Sequence, residues 1–89
     1  MCIAIAIVSP GMRQVLRGED IRCVVRVAER EIWQLLEAGQ PVRTAVACED
    51  HADEIKIAAY FEDLVREEMA ARTAQIAAIA PARRRARQA

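Results

Sequence analysis

The chain has 89 residues, enough for one small domain with a modest hydrophobic core. Its 13 basic and 13 acidic residues balance, so the whole molecule lacks the net positive charge that attracts nucleic acids and anionic membranes. The three cysteines are odd in number and widely spaced, which favours reduced thiols in a cytoplasmic protein over a disulfide framework.

The chain opens with a period-two pattern over residues 2–8, where isoleucine alternates with cysteine or alanine. This alternation predicts a short β-strand. The apolar stretch is about eight residues long, which is too short to span a bilayer, and it lacks the basic segment and cleavage site of a signal peptide. Ser9 and Pro10 then form a helix-start signal, with the serine as cap and the proline at the first helical position. A short helix is therefore predicted from Pro10 to Arg17, ended by Gly18.

Residues 20–38 fit two patterns. At helical spacing, Asp20 caps a helix that stops at Gly39, and apolar side chains form one stripe along it. The stripe consists of Ile21, Val24, Val25, Ala28, Ile32, Leu35 and Leu36. At strand spacing, residues 21–27 alternate and are rich in β-branched side chains, so the alternative is a strand followed by a shorter helix from Glu29. The length of the stripe favours the helix.

One long helix is predicted from Glu49 to Ala80, because this stretch contains no glycine or proline before Pro81. Residues 42–48 before it form either a strand or the first turns of a helix that starts at Pro41. At 1.5 Å per residue the long helix spans about 48 Å. It is expected to extend beyond a compact body whose radius of gyration would be about 12 Å. Its apolar side chains recur at three- and four-residue spacing; they are Ile57, Phe61, Leu64, Val65, Met69, Ile76 and Ile79.

Together these elements predict a mainly α fold. Residues 20–38 and 57–79 would pack as an antiparallel helical hairpin, with a long C-terminal helix and a short N-terminal β-strand. The alternative is a small α+β fold, with strands at 2–8, 21–27 and 42–48.

The predicted domain boundary lies at Pro81. Residues 1–80 are expected to form a single small helical domain, and residues 81–89, which contain four arginines, are expected to form a disordered basic tail. Such a tail can contact phosphates or an acidic protein surface, but its commoner role is to keep a protein soluble.

One group of side chains has the types needed for metal binding or proton transfer: Cys48, Glu49, Asp50, His51, Asp53 and Glu54. His51 with Cys48 or Glu54 could supply two metal ligands or a nucleophile pair. The chain has no second histidine to complete a site. A helix start whose acids meet the positive end of the helix dipole is the simpler interpretation. Ser9 is the only serine and no glycine-rich phosphate loop exists, so the sequence predicts no enzyme, no metal site and no cofactor.

DNA binding is the main alternative function. The order of strand, short helix and longer helix over residues 2–38 has the rhythm of a ribbon-helix-helix repressor, a class that includes antitoxin-like regulators. The faces of the predicted strand carry only isoleucine, or alanine and cysteine, and neither can read a base edge. A helix-turn-helix around Gly39 would present Glu49 and Asp50 to the phosphates, which would repel them. Nucleic acid is therefore a disfavoured partner.

The sequence favours a non-enzymatic protein–protein interaction module, a small regulator or inhibitor in the cytoplasm. We expect the long helix to lay its apolar stripe against a second copy, forming a homodimer, or against a target protein. The acids at its start would face that partner. The residues expected to bind the partner are Glu49, Asp50, Asp53, Glu54, Phe61, Leu64, Val65, Met69 and Trp33.

Overall fold

The computed structural model describes the backbone of residues 2–88 and the side chains of residues 2–75. It shows a small α+β fold with three strands and two helices. In chain order these are β1 (Ile3–Ser9), β2 (Met12–Gly18), α1 (Ile21–Glu37), β3 (Arg43–Cys48) and α2 (His51–Gln88).

The strands form one antiparallel sheet in the order β2-β1-β3. β1 is central because both of its edges are hydrogen-bonded, and its Ile5 lies opposite Leu16 of β2 and Val46 of β3. The predicted strand at residues 2–8 pairs within its own chain, so its backbone groups are satisfied without a second copy.

The short helix predicted from Pro10 to Arg17 is wrong, because these residues form a turn and the strand β2. Pro10 followed by Gly11 with a φ of 77° is the residue pattern of a type II turn, in which glycine takes the left-handed position. The turn reverses the chain and places Met12 opposite Ser9. The serine–proline signal that marks helix starts also opens turns, and pairing with β1 decided between them.

Both helices pack on the same face of the sheet and form a single core. The β1 side chains Ile3, Ile5 and Ile7 are buried there, together with Phe61 and Val65 of α2. The buried residues of α1 follow the i, i+4 spacing of one helix face; they are Val24, Ala28, Ile32 and Leu36.

α1 has the ends that its sequence predicts. The Asp20 side chain accepts a hydrogen bond from the backbone N–H of Cys23 at 3.2 Å. At the other end Gly39 has a φ of 77°, and the N–H of Gln40 bonds to the carbonyl of Leu35 at 2.9 Å. This is the Schellman arrangement, which turns the chain out of the helix. The alternative strand at residues 21–27 is therefore wrong.

The predicted antiparallel helical hairpin is also wrong. β3 separates the two helices in the chain. α1 follows β2 and α2 follows β3, and these two strands run in the same direction because both are antiparallel to β1. Glu29 of α1 contacts Tyr60 of α2, and Leu36 lines the same cleft as Met69. The contacts therefore advance along both helices together, so the helices run parallel.

Neither predicted DNA-binding architecture is present. Residues 12–18, which would belong to the first helix of a ribbon-helix-helix fold, form β2. Residues 43–48, which would begin the second helix of a helix-turn-helix, form β3. In both segments, backbone pairing with β1 overrides the local helix signals.

α2 has 38 residues and gives the molecule its elongated shape. The principal extents are 62 × 25 × 17 Å and the radius of gyration is 16.9 Å, compared with the 12 Å or so expected of a compact chain. The predicted boundary at Pro81 and the predicted basic tail fall beyond Gln75, among side chains outside the described part of the structure. They stay predictions.

Candidate functional site

The acidic residues at the start of α2 form the N-terminal cap of that helix. The Asp50 carboxylate accepts hydrogen bonds from the backbone N–H groups of Ala52 at 2.9 Å and Asp53 at 3.2 Å. Glu54 Oε1 accepts one from the backbone N–H of Cys48 at 3.2 Å, which ties the last residue of β3 to the first turn of α2. The two bonds to Asp50 satisfy donors that a helix start leaves without intrahelical partners.

His51 joins this cap through Glu54. Its Nδ1 lies 3.0 Å from Glu54 Oε2, and the His51 side chain is 81% exposed. A side-chain contact this exposed contributes little to stability. Among the side chains that the structure describes, no three or more histidine, cysteine, aspartate or glutamate residues are placed to hold a metal ion.

The structure divides the apolar and aromatic residues that were predicted to bind a partner into two groups. Phe61 and Val65 are 0% and 8% exposed and lie in the chain's own core, with Leu64 packed against it. Met69 and Trp33 are 41% and 39% exposed. Only the second group is free to contact a partner while the fold stays intact.

A cleft of about 430 Å³ opens where α1 ends and α2 continues. It separates the loop after α1 from one side of α2 and has the buried Leu36 and the half-exposed Met69 in its wall. The lining residues are Leu36, Gly39, Gln40, Pro41, Met69, Arg72, Thr73 and Gln75. Sequence analysis identified Met69 but missed the cleft, because the loop that forms its other wall depends on where α1 ends relative to α2.

Tyr60 connects the two helices and is 47% exposed. Its hydroxyl donates a hydrogen bond to Glu29 Oε1 of α1, and its ring meets Phe61 edge to face with centroids 5.3 Å apart. The bond to Glu29 is the main reason that the pKa of Tyr60 is raised above its ordinary value, and burial adds to the shift.

We expect the Tyr60 phenol to titrate above pH 10, its ordinary value being about 10. Because the folded state raises this pKa, the Glu29 bond stabilises the fold below pH 10 or so and is lost as the pH rises through the shifted pKa. Tyr60 is the only tyrosine in the chain, so tyrosinate absorbance reports it alone. Glu29→Gln should bring the titration midpoint back towards pH 10, whereas Glu37→Gln at the exposed end of α1 should not. An unchanged midpoint in Glu29→Gln would contradict the assignment.

In the part of the chain whose side chains the structure describes, neither helix packs on the second face of the sheet. Its side chains alternate with those of the core face and are small or basic; they are Ala4, Ala6, Val8, Arg13, Val15, Arg17, Arg43, Ala45 and Ala47. We call these nine residues the open face. Arg13 and Arg43 lie on the two outer strands, each opposite Val8 of β1. The strands contain no aspartate or glutamate.

Sequence analysis missed the open face because it assigned residues 10–17 to a helix. The signal was present in β2, where Met12, Gln14 and Leu16 alternate with arginine and valine. A period of two over seven residues is typical of a half-buried strand.

Within the described part of the chain, neither helix contains an apolar stretch long enough to cross a membrane. Comparison of the chain with protein-family models, curated proteins and solved structures gives no match. Its function is therefore argued from its own surfaces.

Proposed function

We propose that the protein is a non-enzymatic regulator in the cytoplasm that binds a partner protein through the free side of α2 and the cleft next to Met69. The observation that supports this most directly is the length of α2 relative to the rest of the fold. α1 ends at Glu37, close to the level of Met69, whereas α2 continues to Gln88. The last 19 residues or so of α2 extend about 28 Å further at 1.5 Å per residue.

The extended part of α2 gains little stability from its intrinsic helix propensity, because most helix stability in proteins comes from packing one face of the helix against another surface. Met69 presents a flexible apolar side chain at the point where α2 leaves the sheet, and the buried Leu36 is among the residues that line its cleft. Methionine adapts its shape to a contacting surface, which suits an interface. The simplest partner is a second copy, in which two α2 helices contact each other around Met69.

The acidic residues at positions 49–54 are also proposed to attract the partner. Asp50 and Glu54 hold the cap of α2, while Glu49 is exposed and unengaged by any side chain that the structure describes. The start of α2 therefore presents negative charge, which would speed the encounter with a basic partner more than it would strengthen the complex.

Light scattering at several protein concentrations tests the proposal. We expect the wild-type chain to associate and Met69→Glu to weaken that association by about tenfold, the effect of losing roughly 1.4 kcal/mol at an interface. Ile55→Glu is the matched control, since Ile55 is 56% exposed on the first turns of the same helix. It should leave association unchanged.

Two results would count against the proposal. One is a wild-type chain that stays a strict monomer and recovers no protein from host extract. The other is an equal loss of association in Met69→Glu and Ile55→Glu, which would place the contact elsewhere.

A further inference from the structure

We propose that the open face of the sheet binds double-stranded DNA, lying over the major groove with Arg13 and Arg43 on phosphates of opposite strands. This function goes beyond the proposed protein binding, because the open face lies on the side of the sheet away from α1 and α2.

The charge of the open face is the first support. All thirteen acidic residues of the chain lie outside the three strands, whereas the strands contain three arginines. Arg13, Arg17 and Arg43 are exposed, and none forms a salt bridge with a side chain that the structure describes. The open face itself thus carries three positive charges and no acid, which is the complement of a phosphate backbone. At its edges, Arg17 lines a pocket with Glu19, Glu49 and Glu54, and Arg43 lines one with Glu62.

The spacing of the arginines is the second support. Arg13 and Arg43 are both paired with Val8, so they lie level with each other on strands two positions apart in the sheet. Two strand spacings separate their Cα atoms by about 9.6 Å. The long side chains extend this reach towards the width of the major groove, about 12 Å. β-sheet proteins do bind DNA with strands in a groove.

The small side chains between the arginines permit close approach. Ala4, Ala6 and Ala45 lie between the arginines, and their short side chains keep the middle of the open face from holding it away from the DNA. The open face has no polar side chain other than arginine, so binding is expected to depend on phosphates and to have little sequence preference.

The same features disfavour other occupants. A protein partner needs large anchors near the centre of the interface, but the centre here is alanine. Two copies packed sheet to sheet would bring arginines against arginines. Single-stranded nucleic acid needs aromatic side chains for stacking, and the open face has none.

Fluorescence anisotropy with a labelled DNA duplex of mixed sequence tests the proposal on the full chain. The triple variant Arg13→Gln, Arg17→Gln, Arg43→Gln removes the three open-face charges. The control variant Arg22→Gln, Arg26→Gln, Arg30→Gln removes three exposed charges from α1, on the other side of the molecule. Both variants keep the arginines of the C-terminal segment, so the difference between them reports the position of the charge.

We expect log affinity to fall with log salt less steeply in the triple variant, by about 1.8, since Arg13 and Arg43 each contact a phosphate and each contact contributes about 0.9. Between about 50 and 200 mM salt the two contacts account for roughly a 12-fold loss of affinity in the wild type. The control variant and Met69→Glu should keep the wild-type slope. The second of these separates DNA binding from the proposed protein binding.

Four results would overturn the proposal. In the first, the wild type does not bind the duplex at low salt. In the second, the dependence of log affinity on log salt falls as much in the control variant as in the triple variant. In the third, the triple variant keeps the wild-type salt dependence. In the fourth, the same three arginines are required for tighter binding to an RNA duplex, to vesicles containing phosphatidylglycerol, or to a second copy detected by light scattering. That result would identify a different anionic partner.

Discussion

Phe61→Ala is expected to lower the free energy of unfolding by about 3–5 kcal/mol. Phe61 is the largest fully buried side chain among those that the structure describes, and it belongs to the same core cluster as the β1 isoleucines, with its ring edge to face with Tyr60. Removing the ring leaves a cavity between α2 and the sheet, and the surrounding side chains relax into it only partly. Urea unfolding followed by circular dichroism measures the loss.

Met69→Ala is the matched control on the same helix. Met69 is 41% exposed, so its truncation should cost less than about 1 kcal/mol in the isolated chain. Because a loss of 3–5 kcal/mol is a large part of the stability of a small domain, Phe61→Ala can leave the chain mostly unfolded. Phe61→Leu, which keeps most of the volume, gives a smaller loss that remains measurable. Equal losses at positions 61 and 69 would show that Phe61 is not the core residue of α2.

Ile5→Ala is expected to cost about 2–5 kcal/mol, the second large effect. Ile5 is 0% exposed and lies at the centre of the sheet, in line with Leu16 and Val46. Its side chain fills the space between β1 and the helices, so no neighbouring group can replace its contacts. The same urea titration measures this loss.

Val8→Ala is the control for Ile5→Ala because Val8 lies on the same strand and the opposite face. Val8 is 39% exposed, and its truncation should cost less than about 1 kcal/mol. A cost similar to that of Ile5→Ala would mean that the open face is covered in solution. Such a result would also contradict its availability to DNA.

The sequence predicted several elements because their signals were local. Asp20 and Gly39 marked the ends of α1, and the i, i+4 stripe from Val24 to Leu36 faces the core. The alternation of isoleucine in β1 predicted a strand. The cap at the start of α2 followed from acids near the positive end of the helix dipole, and Asp50 and Glu54 make its hydrogen bonds.

Other features depended on contacts between distant parts of the chain. Met12–Gly18 is a strand because it pairs with β1 across the turn at Pro10 and Gly11, a contact that outweighs the helix-start signal. Phe61 and Met69 belong to the same apolar pattern, yet one is in the core and the other at a cleft. Periodicity shows which residues share a helix face but not how far the opposing surface extends.

The sequence by itself determined the strand period of β1, the ends of α1, and the apolar side of α2 as far as Val65. Tertiary structure alone decided that β3 separates the helices and makes them parallel, and that Arg13 and Arg43 meet on one face of a sheet whose other face is the core. The physical reason is that strand order and register are set by backbone hydrogen bonds between segments far apart in the chain, which no local pattern of side chains specifies.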